Sequence, residues 1–103
     1  MARVTDYIRA NPGANISLVA MAQIAGVSPN HLVLLFTKVT GLTPHQYVLR
    51  GRIDGAKLYL KDEALSIGEV SRLTGFRTQG HFTKVFRKIV GVTPREFRCA
   101  VRS

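Results

Sequence analysis

Little in this sequence supports covalent chemistry. Cys99 is the only cysteine among 103 residues, which excludes an intramolecular disulfide and any CxxC metal site. Paired carboxylates, metal-ligand spacings and a catalytic triad are all missing. The three histidines, His31, His45 and His81, sit at matching repeat positions or at a helix start rather than beside a nucleophile. The chain is therefore read as a non-enzyme without metal or cofactor. Cys99, between Arg98 and Ala100, is read as incidental rather than as a nucleophile or methyl acceptor.

Long apolar runs are missing too. Stretches such as residues 32–36 fall far below the roughly 20 residues that span a bilayer, and residues 1–11 lack an apolar signal core. A cytoplasmic, reducing setting without a membrane partner is expected. Acidic residues are scarce: six Asp and Glu against fifteen Lys and Arg leave a net charge of +9, with a sequence pI near 10.7. A domain pI above about 9 is the electrostatic footprint of a nucleic-acid binder. The length suits one compact domain, or two very small ones sharing a core. Hydrophobic residues at 46% permit that core, but a domain this size buries only a little over about 60% of its unfolded surface, so modest stability is expected.

What the chain does have is an internal repeat. Residues 21–47 align with residues 70–97, pairing Gly26 with Gly75, His31 with His81, Phe36 with Phe86, and Gly41-Leu-Thr-Pro44 with Gly91-Val-Thr-Pro94. The offset changes from 49 to 50 between Gly75 and His81, so the second copy carries one extra residue in a turn. Two copies are too few for a solenoid, which leaves a duplicated supersecondary unit.

Each copy orders its helical signals alike. Met21, Ile24 and Ala25, and then Val70, Leu73 and Thr74, keep helical spacing up to a glycine able to end a helix in the left-handed conformation. A short turn follows, then an N-cap: Ser28 ahead of Pro29, and Thr78 in the second copy. The new helices carry apolar stripes, Leu32, Leu35, Phe36 and Val39 in one and Phe82, Val85, Phe86 and Ile89 in the other, all expected in the core. Gly41 and Gly91 end these helices. Thr43 with Gln46, Ser66 with Glu69, and Thr93 with Glu96 have capping-box spacing and open further helices. Between the copies, roughly residues 45–60 read as one helix about 24 Å long, weakened by Gly51 and Gly55. The expected fold is all-α, with about seven helices. Residues 1–43 form the first unit, 44–62 the linker and 63–103 the second unit of a single domain.

Helix, glycine turn, helix is the helix-turn-helix geometry, whose second helix enters the DNA major groove. Helix pairs also occur in plain bundles, so the outer face of the second helix decides between them. A helical wheel places Asn30, Leu34, Thr37 and Lys38 opposite the core in the first copy, with Val33 at the edge. In the second copy the same positions hold Gly80, Lys84, Arg87 and Lys88, with Thr83 at the edge. The second face offers three cations for guanine or phosphate, and Gln79 suits adenine. In the first copy, exposed Val33 and Leu34 suit either thymine methyl groups or a protein partner.

The pattern resembles the DNA-binding domain of the AraC/XylS family of bacterial transcription regulators. The resemblance spans roughly residues 5–98. It rests on Ala22, Ala25, Gly26, Val27 and Ser28 with Leu32 and Phe36, on Gly41-Leu-Thr-Pro44 with Tyr47, and on Arg52, Ile53, Ala56 and Leu60. Gly75-Phe76, His81-Phe82, Phe86-Arg-Lys88 and Gly91-Val-Thr-Pro94 with Phe97 complete it. The resemblance implies homeodomain-like units joined by a linker helix, binding successive major-groove segments of double-stranded DNA. It implies base reading by Asn30, Val33, Leu34, Gln79, Gly80, Thr83 and Lys84. It implies phosphate contact by Ser28, Thr37, Lys38, Thr78, Arg87 and Lys88, and a structural Arg52 holding the units together. RNA polymerase becomes a candidate partner, the nucleoid the expected location, and a sensor or dimerisation domain the expected companion. Val33 and Leu34 depart from the polar residue and arginine common in the family, and Gly80 lacks a side chain often used for contact.

A non-specific nucleoid-type coat would share the charge but has no need of two shaped helices with unequal faces. RNA binding fits the charge, but the A-form major groove is too narrow for such helices. A membrane-active peptide needs a continuous basic amphipathic helix, which no segment supplies.

Overall fold

The computed structural model describes residues 2–11 and 16–102, which form seven α-helices and no strand. In chain order these are α1 (Ala2–Ala10), α2 (Leu18–Ala25), α3 (Pro29–Thr40), α4 (Pro44–Leu60), α5 (Ile67–Leu73), α6 (Gln79–Val90) and α7 (Pro94–Arg102). The first helix lies ahead of the repeat, and its only apolar signature is Val4 with Ile8, both buried. The chain turns by 79° between α2 and α3.

Local chemistry accounts for the boundaries. Ser28 and Thr78 accept hydrogen bonds from the His31 and His81 backbone N–H groups at 3.2 and 3.1 Å, capping α3 and α6. Thr43 with Gln46, Ser66 with Glu69, and Thr93 with Glu96 each exchange both bonds of a capping box. Losing such a cap typically costs about 1 kcal/mol. The two interhelical turns depend on Gly26 at φ 71° and Gly75 at φ 89°, a region that other residues enter only with strain. α3 and α6 end at Gly41 and Gly91, as their spacing predicts.

The molecule is elongated, 45 × 21 × 21 Å, because it holds two cores rather than one. The first gathers Val4, Ile8, Met21, Ala22, Leu32, Phe36 and Val48. The second gathers Ile53, Ala56, Leu60, Val70, Phe76, Phe82 and Phe86. Among the described residues only α4 contributes buried residues to both clusters, Val48 to one and Ile53, Ala56 and Leu60 to the other, so this unbroken helix is the spine that joins them. Gly51 and Gly55 do not interrupt it, and a Cβ at either would meet nothing within 4 Å.

One expectation fails. Val39 belongs to the apolar stripe of α3, yet it is 65% exposed, whereas its counterpart Ile89 packs against the second core. The difference lies in the flanking helix. α6 packs on α4 as well as on α5 and α7, whereas α3 packs on α2 and α4, and the counterpart of that extra support, α1, packs chiefly on α2.

Contacts distant in sequence close the second unit. The Arg98 side chain donates from Nε to the Leu60 carbonyl at 2.9 Å and from an η nitrogen to the Asp62 carbonyl at 3.2 Å. A cation thus reaches the Leu60 carbonyl at the end of α4 and shares the Asp62 carbonyl with the Leu65 N–H. Nearby, Arg102 pairs with Glu63 at 2.6 Å, an ion pair more than half exposed and therefore of little weight.

Candidate nucleic-acid interface

α3 and α6 are held alike. Each buries an inner stripe, Leu32 with Phe36 or Phe82 with Phe86, all at 0% exposure. Each then receives an aromatic edge from the following helix. The Phe36 and Tyr47 rings lie 5.2 Å apart at 81°, and the Phe86 and Phe97 rings 5.6 Å apart at 71°. With the inner face anchored in this way, the opposite face must point outward.

The outward faces carry the predicted residues. On α3, Asn30, Leu34, Thr37 and Lys38 are exposed and Val33 is partly buried; on α6, Gln79, Gly80, Lys84, Arg87 and Lys88 are exposed and Thr83 is partly buried. Leu34 is 71% exposed, so its wheel position is realised and its apolar surface meets solvent. Ser28 and Thr78, both exposed, use their hydroxyl oxygens as acceptors in capping. Each hydroxyl proton remains available for donation to an anion. Neither α3 nor α6 contains an Asp or Glu, so no carboxylate of their own opposes a polyanion.

Five of the residues expected on the second unit meet in one shallow concavity of about 550 Å³, where Gly80, Thr83, Lys84, Arg87 and Lys88 are joined by Thr93. The missing side chain at Gly80 leaves open space, since a Cβ there would touch nothing within 4 Å. Thr93 was not among the residues expected at this surface. Its sequence position marks only the cap of α7; its place at this surface comes from the packing of α7 on α6. Gln79 behaves differently from its neighbours: its Oε1 lies 3.1 Å from where a Cβ on Gly68 would stand, so the side chain folds toward the start of α5.

The electrostatics sharpen the contrast between the units. In the second, two carboxylates sit in capping boxes. The Ser66 backbone and side-chain hydrogen bonds hold the Glu69 carboxyl below its usual range, with a smaller contribution from Arg72. Bonds from Thr93, with a smaller contribution from Arg87, do the same for Glu96. Behind this face, the Arg52 guanidinium stands 5.8 Å above the Phe76 ring, within cation–π range. Burial pushes its pKa below the usual arginine value. Arg52 therefore fastens α4 to the turn that precedes α6. His81 supports the same turn with an edge contact to Phe76 at 5.4 Å.

Among the described residues no cluster of His, Cys, Asp or Glu could hold a metal ion, and no single helix is long and apolar enough to cross a membrane.

Comparison with known proteins agrees with this geometry. A family model described as a helix-turn-helix domain matches residues 21–100. The chain is 31% identical over 102 residues to the probable transcriptional regulator LumQ of Photobacterium leiognathi, covering 99% of this chain and 41% of that protein. It spans less than half the length of this and other curated relatives it matches. Among solved structures, an AraC-type DNA-binding-domain regulator from Chromobacterium violaceum is 30% identical, with a TM-score of 0.87 over 95% of this chain and 88% of that one. The DNA-binding domain of AdpA, a global transcriptional factor solved with a target DNA, is 26% identical, with a TM-score of 0.91 over 98% and 91% of the two chains.

Proposed function

The chain belongs to the AraC/XylS-type family of helix-turn-helix DNA-binding domains, and from that premise we propose that it is the sequence-specific, duplex-reading part of a bacterial transcription regulator. One observation carries this reading: α3 and α6 each follow a glycine turn, start at a side-chain cap and leave an acid-free face in solvent. Such a face fits the major groove, which admits a helix and displays a distinct donor and acceptor pattern for each base pair.

In this reading α3 and α6 enter successive groove segments about 34 Å apart. Gln79, Gly80, Thr83 and Lys84 read bases for the second unit, and Asn30, Val33 and Leu34 for the first. Ser28, Thr37, Lys38, Thr78, Arg87 and Lys88 hold phosphates, and Thr93 joins them through the concavity it shares with Arg87 and Lys88. Gln79 must swing away from Gly68 to reach a base, a modest demand on an exposed side chain. We also infer that a sensor or dimerisation domain accompanies this one, for which a relative such as LumQ has room. RNA polymerase is the second macromolecule such a regulator would meet on DNA, and the bacterial nucleoid is where it would act.

Selection of binding sites from a random duplex library tests the function. The expected product is a motif of two blocks about one helical turn, 10 to 10.5 base pairs, apart. Equal affinity for selected and random duplexes at two salt concentrations would reduce the protein to a non-specific coat. Tighter binding to single-stranded RNA would overturn the DNA reading.

A further inference from the structure

The two units differ by one residue, and backbone hydrogen bonds locate it. In the first turn the Val27 N–H returns to the Ala22 carbonyl at 3.1 Å; in the second, the Phe76 N–H returns to the Ser71 carbonyl at 3.0 Å. These equivalent residues are 49 apart. The helix caps come next, Ser28 accepting from the His31 N–H and Thr78 from the His81 N–H, and these are 50 apart. The extra residue is Arg77.

Everything on either side of it is matched. Val27 and Phe76 both pack into their cores, and Leu32 and Phe82 are both fully buried one helical turn after the caps. Because the first unit completes the same turn with no such residue, packing makes no demand on Arg77. Its side chain is exposed, and among the described residues no carboxylate forms an ion pair with it. What distinguishes the position is its charge and its place immediately ahead of the α6 cap.

We propose that Arg77 is a phosphate anchor at the mouth of the second recognition helix, an assignment that rests on the duplex-binding reading above. When the first residues of a recognition helix reach base edges, the residue before its cap stands at the rim of the groove, where the sugar-phosphate backbone runs. A guanidinium suits that place, since its fork of donors matches phosphate oxygens and its charge persists at every working pH. The first unit passes directly from Val27 to Ser28 and has no cation in its turn. The insertion thus adds to the second unit a grip that is independent of sequence and that precedes the base-reading residues in the chain, as Arg87 and Lys88 follow them.

The test compares wild type, Arg77→Ala and Arg77→Lys on a selected duplex and a random duplex between 50 and 200 mM salt, with helical content as the control for folding. Arg77→Ala is expected to weaken binding to both duplexes equally. Its slope of log affinity against log salt should be about 0.9 shallower, so that the wild type's advantage shrinks about threefold across that range. Arg77→Lys should keep most of the slope. Unchanged affinity and slope in Arg77→Ala would overturn the assignment while leaving the proposed function standing, as would a loss confined to the selected duplex, which would make Arg77 a base reader. A wild-type protein that binds neither duplex would overturn the function itself and this assignment with it.

Discussion

Where the first unit buries Leu32 beside Phe36, the second buries Phe82 beside Phe86 and adds Phe76, so that rings run from His81 through Phe76, Phe82 and Phe86 to Phe97 at centroid separations of 5.3 to 5.7 Å. Where α3 exposes Leu34 and Val39, α6 exposes Lys84, Arg87 and Lys88. Where Gln46 closes the cap of α4, Glu96 closes that of α7. One backbone plan has therefore been filled in two ways, with the second unit both more aromatic inside and more basic outside. A unit that grips a polyanion through several cations benefits from a rigid base. Under the proposed function the second unit is the electrostatic anchor, and the first presents a more apolar face.

The largest effect that could break this comparison comes from the cores. Phe86→Ala removes a ring that contacts both Phe82 and Phe97, and should destabilise the chain by about 3–5 kcal/mol, with Phe36→Ala toward the lower end of that range. Denaturant unfolding of both variants would measure the gap, and a greater loss from Phe36→Ala would reverse the assignment of the stiffer core.

A smaller effect tests the outer faces. Lys84→Ala should cost roughly 1–3 kcal/mol of DNA binding and relax preference at one base pair if this side chain reads a base. A uniform loss across sequences would demote it to a phosphate contact. Leu34→Ala should cost less, with the loss concentrated at sites bearing thymine in the first block; titration against a set of single-base variants separates the two. No effect of Leu34→Ala on any DNA would turn that surface toward a protein partner.

The smallest effect is expected from acid. Glu69 and Glu96 have folded pKa values below the usual carboxyl value because Ser66 and Thr93 bond their ionised forms. The stability they add is complete above the unfolded pKa of about 4.3 and disappears as pH falls through the lower folded values. The matching box in the first unit uses Gln46, which does not titrate. Amide exchange measured between pH 5 and pH 3 should therefore show α5 and α7 loosening before the start of α4. Equal loosening of all three would remove this difference between the units.

Much of this architecture is legible in the residues themselves. Caps and glycine stops are local devices, satisfied within three or four residues, so Ser28, Thr43, Ser66, Thr78 and Thr93 mark helix starts before any tertiary contact is known. The outward direction of Lys84, Arg87 and Leu34 follows from the inward direction of Phe36 and Phe86, because helical periodicity fixes both together. α1 carries only a weak signal in the sequence, since Val4 and Ile8 are two apolar residues one turn apart and lie outside the repeat.

The sequence by itself determined the duplication, the caps and glycine stops within the repeat, the basic character of the second outer face and the family. Tertiary structure alone decided that Val39 faces solvent while Ile89 is covered, that Thr93 joins the basic concavity, that Arg98 closes the end of α4 across 38 residues, and that Arg52 lies over Phe76. The physical reason is common to all four. Periodicity states which face of a helix is apolar, but the helix that packs there, and how far along it reaches, depends on the relative placement of elements distant in the chain.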